Sequence, residues 1–143
     1  MAASKTVIIS CKGESLKFLR VTEAKISEEL DSDIVKTFDE PVGVPSSDGG
    51  YTVDISALEA RSVEDFVKLK KILKLMKSYK GEITISEDVK YKDGSFLDEN
   101  YLSGVSLTSN EVSYDAEDLT ARELSFNAEA LREVVNGEEI TVD

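Results

Sequence analysis

The sequence predicts an α+β fold that is mainly β: two packed antiparallel sheets, sandwich- or barrel-like, with one amphipathic helix at about residues 62–80. Three observations carry this expectation. Apolar and polar residues alternate with a period of two through most of the chain, the pattern of sheets with one apolar and one wet face. Only one stretch carries a helical repeat. The order is several strands, one helix, then several more strands. With 143 residues, no internal repeat and no boundary in composition, residues 1–143 make a single domain with room for a real core.

The first element is TVIISC, short and β-branched, and its Cys11 reads as a small buried apolar residue. RVTEAKISEEL sets Ala24, Ile26 and Leu30 against Glu23, Lys25, Ser27 and Glu29. GYTVDISAL sets Tyr51, Val53, Ile55 and Ala57 against Thr52, Asp54 and Ser56. Between these two lies a long loop, residues 38–50, which holds both prolines of the chain. Hairpin loops in compact domains usually span about 2–5 residues, so a loop of this length asks for a use.

The helix follows in RSVEDFVKLKKILKLMKSYKG. Ser62 suits the N-cap, with Asp65 three residues on as in a capping box. Glu64 and Asp65 in the first turn and lysines in the last turns match the helix dipole. Phe66, Leu69, Leu73 and Met76 form an apolar stripe that Ile72 widens, and Gly81 is the expected stop.

GEITISED gives Ile83 and Ile85 against Glu82, Thr84 and Ser86. KYKDGSFLDEN, residues 90–100, reads as a turn at Asp93-Gly94 or as another irregular loop. YLSGVSLTSNEVSYD places Tyr101, Val105 and Leu107 on one face. RELSFNAEAL places Leu124, Phe126, Ala128 and Ala130 against Glu123, Ser125, Asn127 and Glu129.

Composition removes several function classes. The chain has no histidine, so the commonest general base and transition-metal ligand is missing. One cysteine rules out an intramolecular disulfide or a thiolate cluster. Phosphate-loop, dinucleotide, zincin and hydrolase motifs do not occur. The acidic stretch EELDSDIVKTFDE, with Asp31, Asp33 and Asp39, lacks the spacing and closing glutamate of a calcium loop. No catalytic residue, cofactor or metal is expected; an enzyme reading would be confined to carboxylate or metal-assisted chemistry. No apolar run approaches the roughly 20 residues of a membrane helix, and no signal peptide is expected.

Net charge is −12, and its distribution is uneven. Six of the 17 basic residues fall within residues 68–80, which hold no acid, leaving 11 basic against 29 acidic residues elsewhere. Such a body repels nucleic acid. The lysine-rich helix admits two readings: a solvated outer face over a buried stripe, or a surface that docks an acidic partner. The second makes the chain an acidic monomeric or dimeric binding module.

The layout as a whole resembles the tube proteins of phage tails, contractile or non-contractile, and related injection systems. The likeness rests on the strand-rich N-terminal half, the long loop, a strand, the amphipathic helix, and the closing ARELSFNAEALREVVNGEEI. The resemblance implies a structural protein of the virion tail, made in the host cytoplasm, with no catalytic role. It implies homohexameric rings, joined through a continuous inner β-barrel and stacked into a tube that DNA transits without specific binding. A tail sheath, a baseplate and a tape-measure protein are the partners it implies. In that frame Glu23, Glu29, Glu123, Ser125, Asn127 and Glu129 face the lumen. Pro41, Val42, Val44 and Pro45 belong to an inter-subunit loop, and Lys70, Lys74 and Lys77 mark the outer helix face.

Overall fold

The computed structural model describes residues 2–18, 21–28, 50–58, 62–113 and 121–141. It opens with a hairpin of β1 (Ala2–Cys11) and β2 (Glu14–Phe18), joined through Lys12 and Gly13. Both turn residues have positive φ, 49° and 81°, the arrangement whose twist suits two paired strands. β3 (Val21–Glu28) and β4 (Tyr51–Leu58) follow as antiparallel partners. Then come α1 (Val63–Leu75), β5 (Gly81–Tyr91) and the 20-residue β6 (Gly94–Ser113). β7 (Ala121–Ala128), β8 (Ala130–Val135) and β9 (Glu138–Glu139) complete the order.

Among the described residues the fold is mainly β with one helix, as expected, but the two sheets are fused. Hydrogen-bonded neighbours run β2-β1-β5-β6-β7-β4-β3, every pair antiparallel, and the path does not close on itself. The cause is β6. Its first half pairs with β5 on one edge and β8 on the other, and its second half pairs with β7. β7 and β8 are consecutive and both run against β6, so together they form one long, bent hairpin arm. The two limbs of the sheet face each other across one core. Val7, Ile9 and Ile83 come from one limb, Val53, Ile55, Leu124 and Phe126 from the other, and Leu69, Ile72, Leu73 and Met76 from α1.

The bend sits at Gly104 and Glu129. Gly104 has φ +61°, and a Cβ there would lie 2.5 Å from Glu129 Oε2 and 2.8 Å from Glu129 Cβ. Glu129 N donates to Ser103 O at 3.0 Å, and the Glu129 carboxylate pairs with Lys80 beyond the helix. This corner breaks the alternation read from the sequence. Leu102 and Val105 are both buried, and Tyr101 takes the face opposite Leu102 instead of joining Val105. Ala130, expected beside Ala128, is exposed past the bend.

α1 begins as predicted, with Ser62 Oγ accepting from Asp65 N at 3.1 Å. It ends earlier, at Leu75, and residues 76–79 form a turn. Gly81 is therefore not the helix stop. It is the first residue of β5, and a Cβ there would come within 2.5 Å of Ser10 O, so close strand approach explains the glycine. Residues 90–100 are strand around a two-residue turn at Lys92 and Asp93, with Tyr91 opposite Gly94. β2 and the β8–β9 hairpin were not anticipated. In the latter, Asn136 and Gly137 repeat the 49°, 81° turn, and the Asn-Gly dipeptide was its signal. Of the long loop at 38–50 only Gly50 is among the described residues; Glu29, Pro41, Val42, Val44 and Pro45 lie outside them.

The corner makes a direct prediction. Gly104→Ala must shift either the backbone or Glu129, and overpacking of this kind costs about 1–3 kcal/mol. The midpoint of urea unfolding is expected to fall accordingly, and an unchanged midpoint would contradict this role for Gly104.

Candidate functional site

β3, β4, β7 and the second half of β6 form a four-stranded limb whose two faces differ in kind. Register places Glu23, Ser56, Glu123 and Glu111 in one row across it. Lys25, Asp54, Ser125 and Ser109 form the next row, and Ser27, Thr52, Asn127 and Ser106 the third. None of these twelve side chains is buried, whereas the opposite face carries Val53, Ile55, Leu124 and Phe126 into the core. Ser125 Oγ donates to Asp54 Oδ1 at 2.7 Å in the middle of the polar face. Four carboxylates against one lysine make the face negative, and Glu111 lies directly opposite Glu123.

The edges of this limb are long and open. Among the described residues β3 pairs only with β4, and residues 106–113 of β6 pair only with β7. The other ends of the strand path are managed: α1 packs against β2 and β1, and β9 has two residues. The four strands alternate in direction, so β3 of one copy set beside β6 of another would continue the antiparallel order.

The structure brings Glu23, Glu123, Ser125 and Asn127 onto the same polar face. Glu129 does not join them. The chain bends there, and its carboxylate pairs with Lys80 at the corner between the limbs. Asp54 and Ser56, read from the sequence on the polar side of their strand, belong to the face too, as do Ser109 and Glu111, which the sequence reading did not place. Glu111 was missed because the register shift between Leu107 and Ser109 moves it relative to a strict alternation.

Lys70, Lys74 and Lys77 are exposed, but they do not stand on a featureless outer face. With Leu73 they line one side of a groove of about 230 Å³ whose other side is Asn110, Val112 and Arg122. Arg122 is the sole buried charged residue among those described, 7% exposed, and its Nη1 donates to Asn110 Oδ1 at 3.0 Å. No carboxylate lines the groove among the described residues. The Lys70 ammonium also lies 4.9 Å from the centre of the Phe66 ring.

Elsewhere the described side chains offer little chemistry. No group of acidic or sulfur ligands could hold a metal ion among them. Cys11 is buried, its thiol directed at the carbonyls of Tyr79 and Lys80 at 3.8 Å, and burial pushes its pKa up despite nearby Lys12. Tyr101 donates to Glu99 at 2.6 Å, which raises its pKa, and Arg132 stacks 4.7 Å from its ring centre. No described helix is long and apolar enough to cross a membrane.

No family model and no curated protein matches the sequence. Solved structures do resemble the fold. The SPP1 tail tube superposes with a TM-score of 0.59 at 13% identity, over 94% of this chain and 77% of that one. An Hcp protein gives 0.57 at 10% identity, over 98% and 96% of the two chains. A chain of the anti-feeding prophage baseplate gives 0.53 at 9% identity, over 94% of each. The chain thus has the fold shared by tail tube and Hcp proteins.

The thiol and the phenols carry a pH prediction. Cys11, Tyr51 and Tyr101 all have raised pKa values, so the fold favours their protonated forms. Their contribution is complete below the ordinary values, 9.0 for the thiol and 10.0 for the phenols, and is lost as pH rises past them. Unfolding midpoints should fall as pH is raised from 9 through 10, and Cys11→Ala should weaken the first part of that decline. A midpoint that rises over this range would contradict the assignment.

Proposed function

We propose that this chain is a structural tail tube protein that polymerises through the open edges of its four-stranded limb. The observation that supports this best is the pairing of two long edges, one on β3 and one on β6, with a wholly polar face between them. Exposed edges of this length invite addition of another chain, and a ring of such limbs is a barrel without edges. In this reading the polar face lines the bore. Glu23, Glu111 and Glu123 hold DNA phosphates off the wall by repulsion, within about 8 Å at physiological salt.

Homohexameric rings stacked into a tube, virion tail location, assembly in the host cytoplasm, and contact with a sheath, baseplate and tape-measure protein follow from the resemblance. The loop around Pro41, Val42, Val44 and Pro45 serves as an inter-subunit arm in that arrangement. The prolines would limit its freedom before docking, which lowers the ordering cost.

A second reading is an acidic monomeric or dimeric module that docks a partner through its lysine-rich helix, and the cationic groove favours it. Negative-stain electron microscopy of the purified chain across a concentration series separates the two. Hollow rings or tubes are expected, and uniform small particles at every concentration would overturn the tube reading.

A further inference from the structure

We infer that copies join in a register shifted by two residues, which sets Lys25 on β3 of one copy against Glu111 on β6 of the next. The inference rests on the tube reading for the joining of these edges. What it adds is the side-chain pair that fixes how they meet.

The two groups stand at opposite edges of one limb and belong to the same polar face. Lys25 is the single cation among the twelve positions of that face, and both it and Glu111 are exposed. Among the described residues neither makes an ion pair. Glu111 lies directly opposite Glu123, a like-charged cross-strand pair that destabilises a single copy. A lysine on the free side of Glu111 offsets that repulsion. Each edge thus offers one unpaired charge, and the two charges are opposite.

Few registers are open to the join. A slip of one residue would turn the polar side chains of the next copy to the wrong face, so only even shifts are allowed. With no shift, the row that starts at Glu23 ends at Glu111, and the next copy's Glu23 would add a second like-charged contact. A shift of two in one sense sets Lys25 against Glu111 and Ser27 against Ser109, with Ala24 against Val112 on the core side. The same shift in the other sense carries Lys25 to the register irregularity between Leu107 and Ser109 and pairs no charges. A shift of four sets Ser27 against Glu111 and shortens the paired length. One register alone brings opposite charges together.

Closure of a ring asks for a shift in any case. Strands of a barrel tilt against its axis, and that tilt requires a stagger in register around the barrel. The rows from Glu23 to Glu111 and from Lys25 to Ser109 run through direct partners across all four strands, so the stagger enters where copies meet. Directly opposed residues have Cβ atoms about 4.5–5.5 Å apart, within reach of a lysine and a glutamate. On a body of net charge −12, this pair supplies a local attraction between copies that otherwise repel.

Three full-length double-cysteine variants read the register: K25C/E111C, E23C/E111C and S27C/E111C. Glu23, Lys25 and Glu111 are exposed and Ser27 is half-buried, so the fold should survive, and circular dichroism checks this. Cys11 is buried, so oxidised wild type is the control without crosslinks. After mild oxidation of assembled protein, K25C/E111C is expected to give a ladder of disulfide-linked copies faster than either other pair. Faster crosslinking of another pair, or none in assembled protein, would overturn the inference. Charge reversal is the second measurement. K25E and E111K are each expected to raise the critical concentration for assembly about three- to tenfold, since each turns an attractive cross-strand pair into a repulsive one. K25E/E111K on one chain is expected to recover most of that loss, and a double variant no better than the singles would overturn the pairing. If wild type forms no ring or tube at any concentration, the tube reading fails separately. Oxidation of concentrated K25C/E111C then decides the edge contact, with linked dimers supporting it and monomers overturning it.

Discussion

The bend in β6 at Gly104, closed by Glu129 and Lys80, is the constraint on which the other elements depend. A 20-residue strand laid straight would span about 65 Å, far longer than this chain's core can cover on both faces. Bending it lets one strand belong to two facing limbs, so both apolar faces meet over a single core. The left-handed backbone at Gly104 and the absence of a Cβ make room for Glu129 to fold over the corner. The α1 helix then packs along β1 and β2, and its C-terminal turn brings Lys80 to the corner.

That geometry leaves one limb asymmetric in its edges. On the β1–β2 side the helix packs against the end of the path, whereas β3 and the second half of β6 have no strand beyond them among the described residues. The same limb turns hydroxyls, amides and carboxylates outward in three ordered rows. Open edges and a hydrated, negative face occur on one element, and a tube wall needs both. The cationic side of the molecule is elsewhere, at α1 and Arg122, so charge is divided between faces rather than mixed.

Much of this was legible in the sequence. The alternations around Val53, Ile55, Leu124 and Phe126 marked the buried face because period-2 patterns report one-sided burial directly. Ser62, Asp65 and the stripe through Leu69 and Met76 located the helix, since cap and core signals agree there. What escaped was set by contacts distant in sequence. Gly104 shifts Tyr101 away from Val105, and Glu129 leaves the polar face to meet Lys80, 49 residues away. Arg122, in β7 on the same side as the buried Leu124 and Phe126, shares a groove with Lys70, Leu73 and Lys74 of α1, a neighbourhood that sequence spacing does not report. Asn136-Gly137 was readable as a turn, and the strand it makes was overlooked because β8 looks like a continuation of β7.

Amide hydrogen exchange of dilute and concentrated protein tests the central claim most directly, because it reads the backbone of each edge separately. If copies join through the four-stranded limb, amides within β3 and within residues 106–113 gain protection at high concentration, while those of β2 stay unchanged. Equal exchange of β3 and residues 106–113 at both concentrations, in a sample that has demonstrably assembled, would contradict assembly through these edges.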